Sequence, residues 1–230
     1  KGYIQYLKTL KVISDTLEVE TRWAPGLASR GILEIANAVK YVLIKTPIDP
    51  MTGLLCDSVA RFGDVTLLRH KHALPLGYVL HQWMPRREFN ICSPVQRDFM
   101  SLKAAVLEEE NEKLMQGIPQ RNLSDTLNTA AFTLDTIRAW TDILKTEPFV
   151  IESFHQTHFS GQLNVKSDGI AYFSVPYVQG WNIKVDGKKT DPLLLSHGMT
   201  GLLLPAGNHR IEFCFEQLSA RKGKWWSLAG

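Results

Sequence analysis

The sequence lacks any apolar run of about 18 residues, so no stretch of it reads as a membrane-spanning helix. It also lacks a secretory leader, because Lys1-Gly2-Tyr3 opens directly into mixed sequence. A first residue other than Met reads as a piece excised from a longer chain. Charge of one sign is in no excess: 26 basic residues stand against 23 acidic ones. With no basic stripe interleaved with aromatics, nucleic acid is excluded as a partner. Cysteine is scarce. Cys56, Cys92 and Cys214 form no C-x-x-C pair, and their odd number excludes complete internal pairing. They read as free, buried or half-buried thiols; one disulfide with one thiol left over is the alternative.

Chemical motifs are missing too. Ser174 stands in Ser-Val-Pro, not in a strained elbow between glycines. No glycine loop is arranged to cradle phosphate. His155 and His158, three apart on a strand, point to opposite faces and cannot share a metal. His70 and His72 share a face but have no third ligand at metal-site spacing. Asp186 and Asp168 each precede glycine and read as turn residues. No catalytic residue, metal site or cofactor is therefore assigned.

What is present is ordinary core-forming material, 44% hydrophobic and 21% charged, enough over 230 residues for one large or two ordinary domains. Ile4, Leu7, Leu10 and Ile13 have near-helical spacing, while Thr16 to Trp23 looks extended. Ser29 is placed as the cap of a helix facing inward through Ile32, Ile35, Ala36 and Val39. Tyr41 to Ile44 is a continuous apolar run, as in a strand buried on both faces. Strands follow at 64–69 and 74–80. A helix is predicted from Pro94 onward, carrying Phe99, Leu102, Val106 and Leu114 on one face. Glu108, Glu109, Glu110 and Glu112 on its later half read as a solvated face. Leu134 to Lys145 forms a short amphipathic helix.

From Phe149 on, the pattern is strands. In the stretch 168–189, Ile170, Tyr172 and Ser174 alternate with Ala171, Phe173 and Val175. Pro176 cannot donate to a sheet ladder and ends that strand. Asp186-Gly187 is a two-residue hairpin turn between Ile183-Val185 and Lys188. The strand at 209–215 alternates Ile211, Phe213 and Phe215 with Arg210, Glu212 and Cys214. Short strands at this spacing predict a β-sandwich or jelly roll. The fold class is α+β: a mixed α/β region over 1–147, an antiparallel, jelly-roll-like sandwich over 148–218, and a linker over 219–230. In that linker Arg221, Lys222 and Lys224 precede Trp225-Trp226, the composition of a chain nearing a membrane interface.

One binding site is predicted. Tyr177 and Trp181 bracket Gly180, and aromatic faces on a loop stack on sugar rings, with Gln179 and Asn182 nearby for the hydroxyls. The competing reading makes Trp181 a packing residue between sheets, the commoner fate of a large aromatic.

Ser174, Pro176, Tyr177, Gly180, Trp181, Asp186, Gly187 and Lys188, followed by Leu204, Gly207, His209 and Ile211, form a pattern of the type S-x-P-Y-x-x-G-W-x-x-x-x-D-G-K, then L-x-x-G-x-H-x-I. The pattern resembles the C-terminal extracytoplasmic part of the YfhO family of bacterial multi-pass membrane proteins. VKYVLIK at 39–45 and HALPLGYVL at 72–80 resemble two further landmarks in the same order. The membrane portion of that family is similar to type C glycosyltransferases, which take a sugar from a polyprenyl-phosphate carrier. The resemblance implies glycosylation of a wall polymer such as teichoic acid, with the catalytic carboxylates in an early loop outside this sequence. It implies a soluble piece facing outward, held at the membrane by transmembrane helices elsewhere in the parent protein and positioning a cell-wall glycan as acceptor. The alternative is a structural or protein-interaction cap with no ligand of its own.

Overall fold

The computed structural model describes residues 2–14, 26–45, 47–124 and 132–216. The expected extended stretch from Thr16 to Trp23 and the 219–230 linker lie outside these residues. The order is α1 (Gly2–Thr9), α2 (Gly31–Ala36), β1 (Tyr41–Ile44), α3 (Pro50–Leu55), β2 (Cys56–Phe62), β3 (Val65–His70), β4 (Gly77–Leu80) and β5 (Trp83–Pro85). Then come α4 (Arg86–Ile91), α5 (Pro94–Ser101), β6 (Ala105–Leu107), a 3-10 turn (Glu109–Leu114) and α6 (Leu134–Leu144). The C-terminal half is β7 (Val150–His155), β8 (His158–Val165), β9 (Gly169–Pro176), β10 (Trp181–Val185), β11 (Lys188–Lys189), β12 (Leu193–Leu195), β13 (Met199–Leu204) and β14 (Gly207–Phe215).

The class is α+β, with a mixed N-terminal part and a sandwich after it. The sandwich packs a five-stranded sheet, ordered β11-β10-β14-β8-β7, on a six-stranded one, ordered β4-β9-β13-β12-β6-β5. All pairings are antiparallel except β5 with β6. Three strands of the larger sheet, β4, β5 and β6, come from residues 77–107, so the mixed part and the sandwich share one hydrogen-bonded sheet.

That sharing explains the alternation in β9. Ala171, Phe173 and Val175 face the smaller sheet and join Phe149, Phe159, Leu163, Ile211 and Phe213 in one core. Ile170 and Tyr172 face the other way, onto α1, α2 and α5, in a second core with Tyr6, Leu33 and Phe99. Both faces are dry, so polar residues are nearly absent from the strand. The Asp186-Gly187 turn has φ of 52° and 77°, the left-handed pair a two-residue hairpin turn demands. Residues 169–215 contain only strands and their connections, as expected.

Four expectations need correction. The helix from Pro94 stops at Ser101. Its start is held by a full capping box between Ser93 and Gln96, but Ala105 to Leu107 pair with β5 and β12 as a strand. Sheet pairing thus outweighs the helical spacing of Val106. Of the glutamates that follow, Glu108 precedes the 3-10 turn and the others sit on it, and Glu108 and Glu112 are half-buried in ion pairs. Glu108 pairs with Arg86 at 3.1 Å and with His197 at 2.8 Å, and Glu112 pairs with Arg87. Finally, β1 is not buried on both faces. It is an edge of a separate antiparallel sheet, β1-β3-β2, and leaves Tyr41 51% and Leu43 68% exposed. Ser29 is not the cap of α2 either; Arg30 holds that position, without a side-chain cap bond.

Candidate functional site

The predicted site residues lie on the corner between β9 and β10. Gly180 has φ of 114°, and a Cβ there would meet the Glu216 carbonyl at 2.6 Å, so the chain needs glycine to turn. Glu216 N–H donates to the Gly180 carbonyl at 2.8 Å, closing the corner against the end of β14. On the other side Tyr177 N–H donates to the Gly198 carbonyl at 2.8 Å. A Cβ on Gly2 would meet the Tyr177 carbonyl at 2.5 Å, and one on Gly198 the Gly2 carbonyl at 2.2 Å. The first turn of α1 therefore lies directly on this corner.

The corner separates the four residues. Trp181 is half-buried and packs at 5.1–5.8 Å, edge to face, on Phe159, Phe213 and Phe215. Asn182 is its neighbour on a strand, so it points to the opposite face of the sheet. Gln179 is exposed and Tyr177 half-buried. The four are neighbours in the chain, but Trp181 packs against the rim of the aromatic core between the sheets.

A cleft lies on the other side of the corner, with a volume of about 510 Å3. Tyr3 of α1, Glu34 and Asn37 of α2, Tyr41 and Leu43 of β1, and Ser174 and Pro176 of β9 line it. The end of α2 is fixed by a buried network. Asn37 Nδ2 donates to the Tyr6 hydroxyl at 2.6 Å and to the Leu33 carbonyl at 2.8 Å, and the Tyr172 hydroxyl donates to Asn37 Oδ1 at 3.3 Å. The Tyr78 hydroxyl and Ser174 Oγ both donate to the Ala36 carbonyl, at 3.0 and 3.4 Å. Burial pushes the Tyr6 hydroxyl up to about 12 and the Tyr78 and Tyr172 hydroxyls well above the usual range, so all three stay protonated. The cleft is thus a preset wall carrying two tyrosine rings and the outer atoms of an amide, a carboxylate and a hydroxyl. Sequence reasoning missed it, because its residues come from four elements, and the two motifs that contribute to it, at 39–45 and at Ser174 to Pro176, are far apart in the chain.

A second cluster adjoins it. His70, almost fully buried, lies between Cys56 Sγ at 3.3 Å from Nδ1 and Glu34 Oε2 at 2.9 Å from Nε2. The two partners occupy opposite ring nitrogens, so they cannot converge on one ion. Among the described residues no group of His, Cys, Asp and Glu side chains is placed to hold a metal. Burial, then the nearby Glu34 carboxylate, pushes the Cys56 thiol up to about 11, which keeps it protonated and unreactive. The cluster ties α2 to β2 and β3. Cys92 is also a free buried thiol and Cys214 a free exposed one.

No helix among the described residues is long and apolar enough to cross a membrane. Comparison with curated proteins and with solved structures gives no match. Comparison with family models gives one, over residues 124–217, which takes in α6 and every strand of the sandwich from β7 to β14. The landmarks at 39–45 and 72–80 stand outside that span. The family matched over those residues is the one described as the bacterial membrane protein YfhO, and this part of the chain is similar to it.

Proposed function

We propose that this chain is the extracytoplasmic part of a bacterial membrane protein that glycosylates a cell-wall polymer such as teichoic acid from a polyprenyl-phosphate sugar. In this reading the region makes no bond itself and positions the carbohydrate acceptor. Residues 1–147 and 148–218 act together, since they share a sheet, and 219–230 lead towards a transmembrane helix. The observation that carries the reading is the cleft of about 510 Å3, where the rings of Tyr3 and Tyr41 stand beside Glu34, Asn37 and Ser174. Flat apolar faces next to planar polar groups are what a sugar ring needs on its C–H face and at its hydroxyls. In this reading Tyr177, Gln179 and Asn182, at the nearby corner, are further contacts for the glycan. The second reading, a structural cap without a ligand, is favoured by the packing of Trp181 against three phenylalanines and by the seat of α1 on the corner.

An NMR titration with teichoic-acid fragments separates the two. Affinity near the millimolar end, about 4 kcal/mol, is expected for so few contacts. Amide shifts should centre on Tyr3, Asn37 and Ser174 and shrink in Tyr3→Ala. An unchanged spectrum at high ligand, in a folded sample, decides for the cap.

A further inference from the structure

Large apolar side chains stand exposed on the three-stranded sheet, where nothing else in the described structure covers them. Leu43 on β1 pairs with Leu67 on β3, which pairs with Ala60 on β2. Phe62 pairs with Val65 on the same side. Paired residues of antiparallel strands point to one face, so these side chains form one apolar surface. Leu43 and Phe62 are each 68% exposed. Phe62 stands at the very end of a hairpin that turns at Gly63, with φ of 62°. An apolar face of this kind on a folded protein marks a contact site.

The charge around it says which kind. Residues 40–71 carry five basic side chains, Lys40, Lys45, Arg61, Arg69 and Lys71, against three aspartates. Two of the aspartates, Asp57 and Asp64, are shared among three of the cations, at 3.3–3.7 Å. Lys40 instead lies over the Tyr41 ring at 5.6 Å. Tyrosine and lysine beside exposed leucine and phenylalanine are the groups found at the interface of a bilayer.

We propose that this face rests on the anionic surface of the membrane to which the family match ties the chain, with Leu43 and Phe62 inserted among the lipids and Lys40 and Lys45 at the phosphates. The contact is made by the folded region itself, separately from any transmembrane helix of the parent protein. It sets the mouth of the cleft, which Tyr41 and Leu43 also line, at the membrane surface.

The test is co-sedimentation of the whole 230-residue chain with vesicles. Vesicles of phosphatidylglycerol mixed with phosphatidylcholine are compared with phosphatidylcholine alone. The chain should bind the anionic vesicles and leave them as salt is raised. Leu43→Glu combined with Phe62→Glu should weaken partitioning by roughly tenfold or more, since each change removes one inserted apolar group. Phe62→Ser alone, at an exposed tip, should weaken it less and preserve the fold by circular dichroism. A Trp225→Ser, Trp226→Ser variant controls for the tail. No binding to anionic vesicles overturns the proposal and leaves the face for a protein partner. Binding that survives the Leu43, Phe62 change but disappears with the tail tryptophans overturns it as well.

Discussion

His209 donates from Nδ1 to the Asp186 carboxylate at 2.8 Å and from Nε2 to the Pro205 carbonyl at 3.0 Å. Both partners are acceptors, so the ring satisfies both only as an imidazolium. Asp186 also accepts from Arg210 N–H at 2.9 Å through its other oxygen. The aspartate of the Asp-Gly turn and the histidine of the Gly-Asn-His strand are thus one device, tying the tip of the β10–β11 hairpin to β14.

Burial pulls His209 down, but the bond to Asp186 and the Pro205 carbonyl outweigh it and leave its pKa raised. The bonds from His209 and then Arg210 N–H hold Asp186 below the usual carboxylate range. The raised histidine contributes stability below its unfolded value of about 6.5 that is lost as pH rises through the folded value. The lowered aspartate contributes stability above about 3.9 that is lost as pH falls through its folded value. Both are present together only in mildly acidic solution. Asp186 is half-exposed, so the pair is worth about 0.5 kcal/mol or less. In an NMR titration the His209 pKa should lie above that of an ordinary histidine and fall in Asp186→Asn. An unchanged His209 pKa in that variant would show that the carboxylate does not set it.

The turn at Asp186-Gly187 and the alternation in β9 were legible because both are local: positive φ selects the turn residues, and period 2 selects the strand. The partner of Asp186 was not legible, because nothing local pairs residues 23 apart. Val106 was misassigned for the same reason, since its helical spacing is local and its pairing to β5 and β12 is not. The run from Tyr41 to Ile44 is apolar enough for a buried strand. Its open face follows from what is not packed on it, which no local pattern reports. The cleft combines both difficulties. Tyr3, Glu34, Tyr41 and Ser174 meet only because α1, α2 and β1 gather at one end of β9.

Arg30 and Asp98 offer a second pH test. Arg30 reaches both oxygens of Asp98, with Nε to Oδ2 at 3.0 Å, and donates from Nη1 to the Leu10 carbonyl at 2.7 Å. Arg97, itself buried, donates to the Thr9 carbonyl. Two guanidinium groups therefore serve the carbonyl end of α1, where cations are favoured. Burial raises the Asp98 carboxyl, and Arg30 brings it part of the way back. Arg30→Met removes that counterweight and should cost about 3 kcal/mol at neutral pH, because it strands a buried charge. The folded pKa of Asp98 should then rise further. A raised carboxyl costs stability as pH climbs from the unfolded value to the folded one, so the variant should recover stability on acidification below its folded value. Urea melts of wild type and variant at neutral and acidic pH check this; a deficit independent of pH would mean that Asp98 finds another partner.

Trp181 decides between the two readings of the corner, and its packing sets the expectation. Phe213 is fully buried, stacked on Phe159 at 4.4 Å and edge to face with Phe173 at 4.9 Å. Phe213→Ala should cost about 3–5 kcal/mol. Trp181 touches the same rings from the rim and keeps part of its surface in water. Trp181→Ala should therefore cost less, about 2 kcal/mol, within the range for partial loss of a large apolar contact. The two substitutions should not add, since the rings share Phe159 as a neighbour; the double variant should cost less than the sum of its parts. If Trp181→Ala instead leaves the melting curve unchanged, its ring contributes nothing to the core. Its value must then lie in something that binds from outside, and the glycan titration in that variant would take precedence over the cleft.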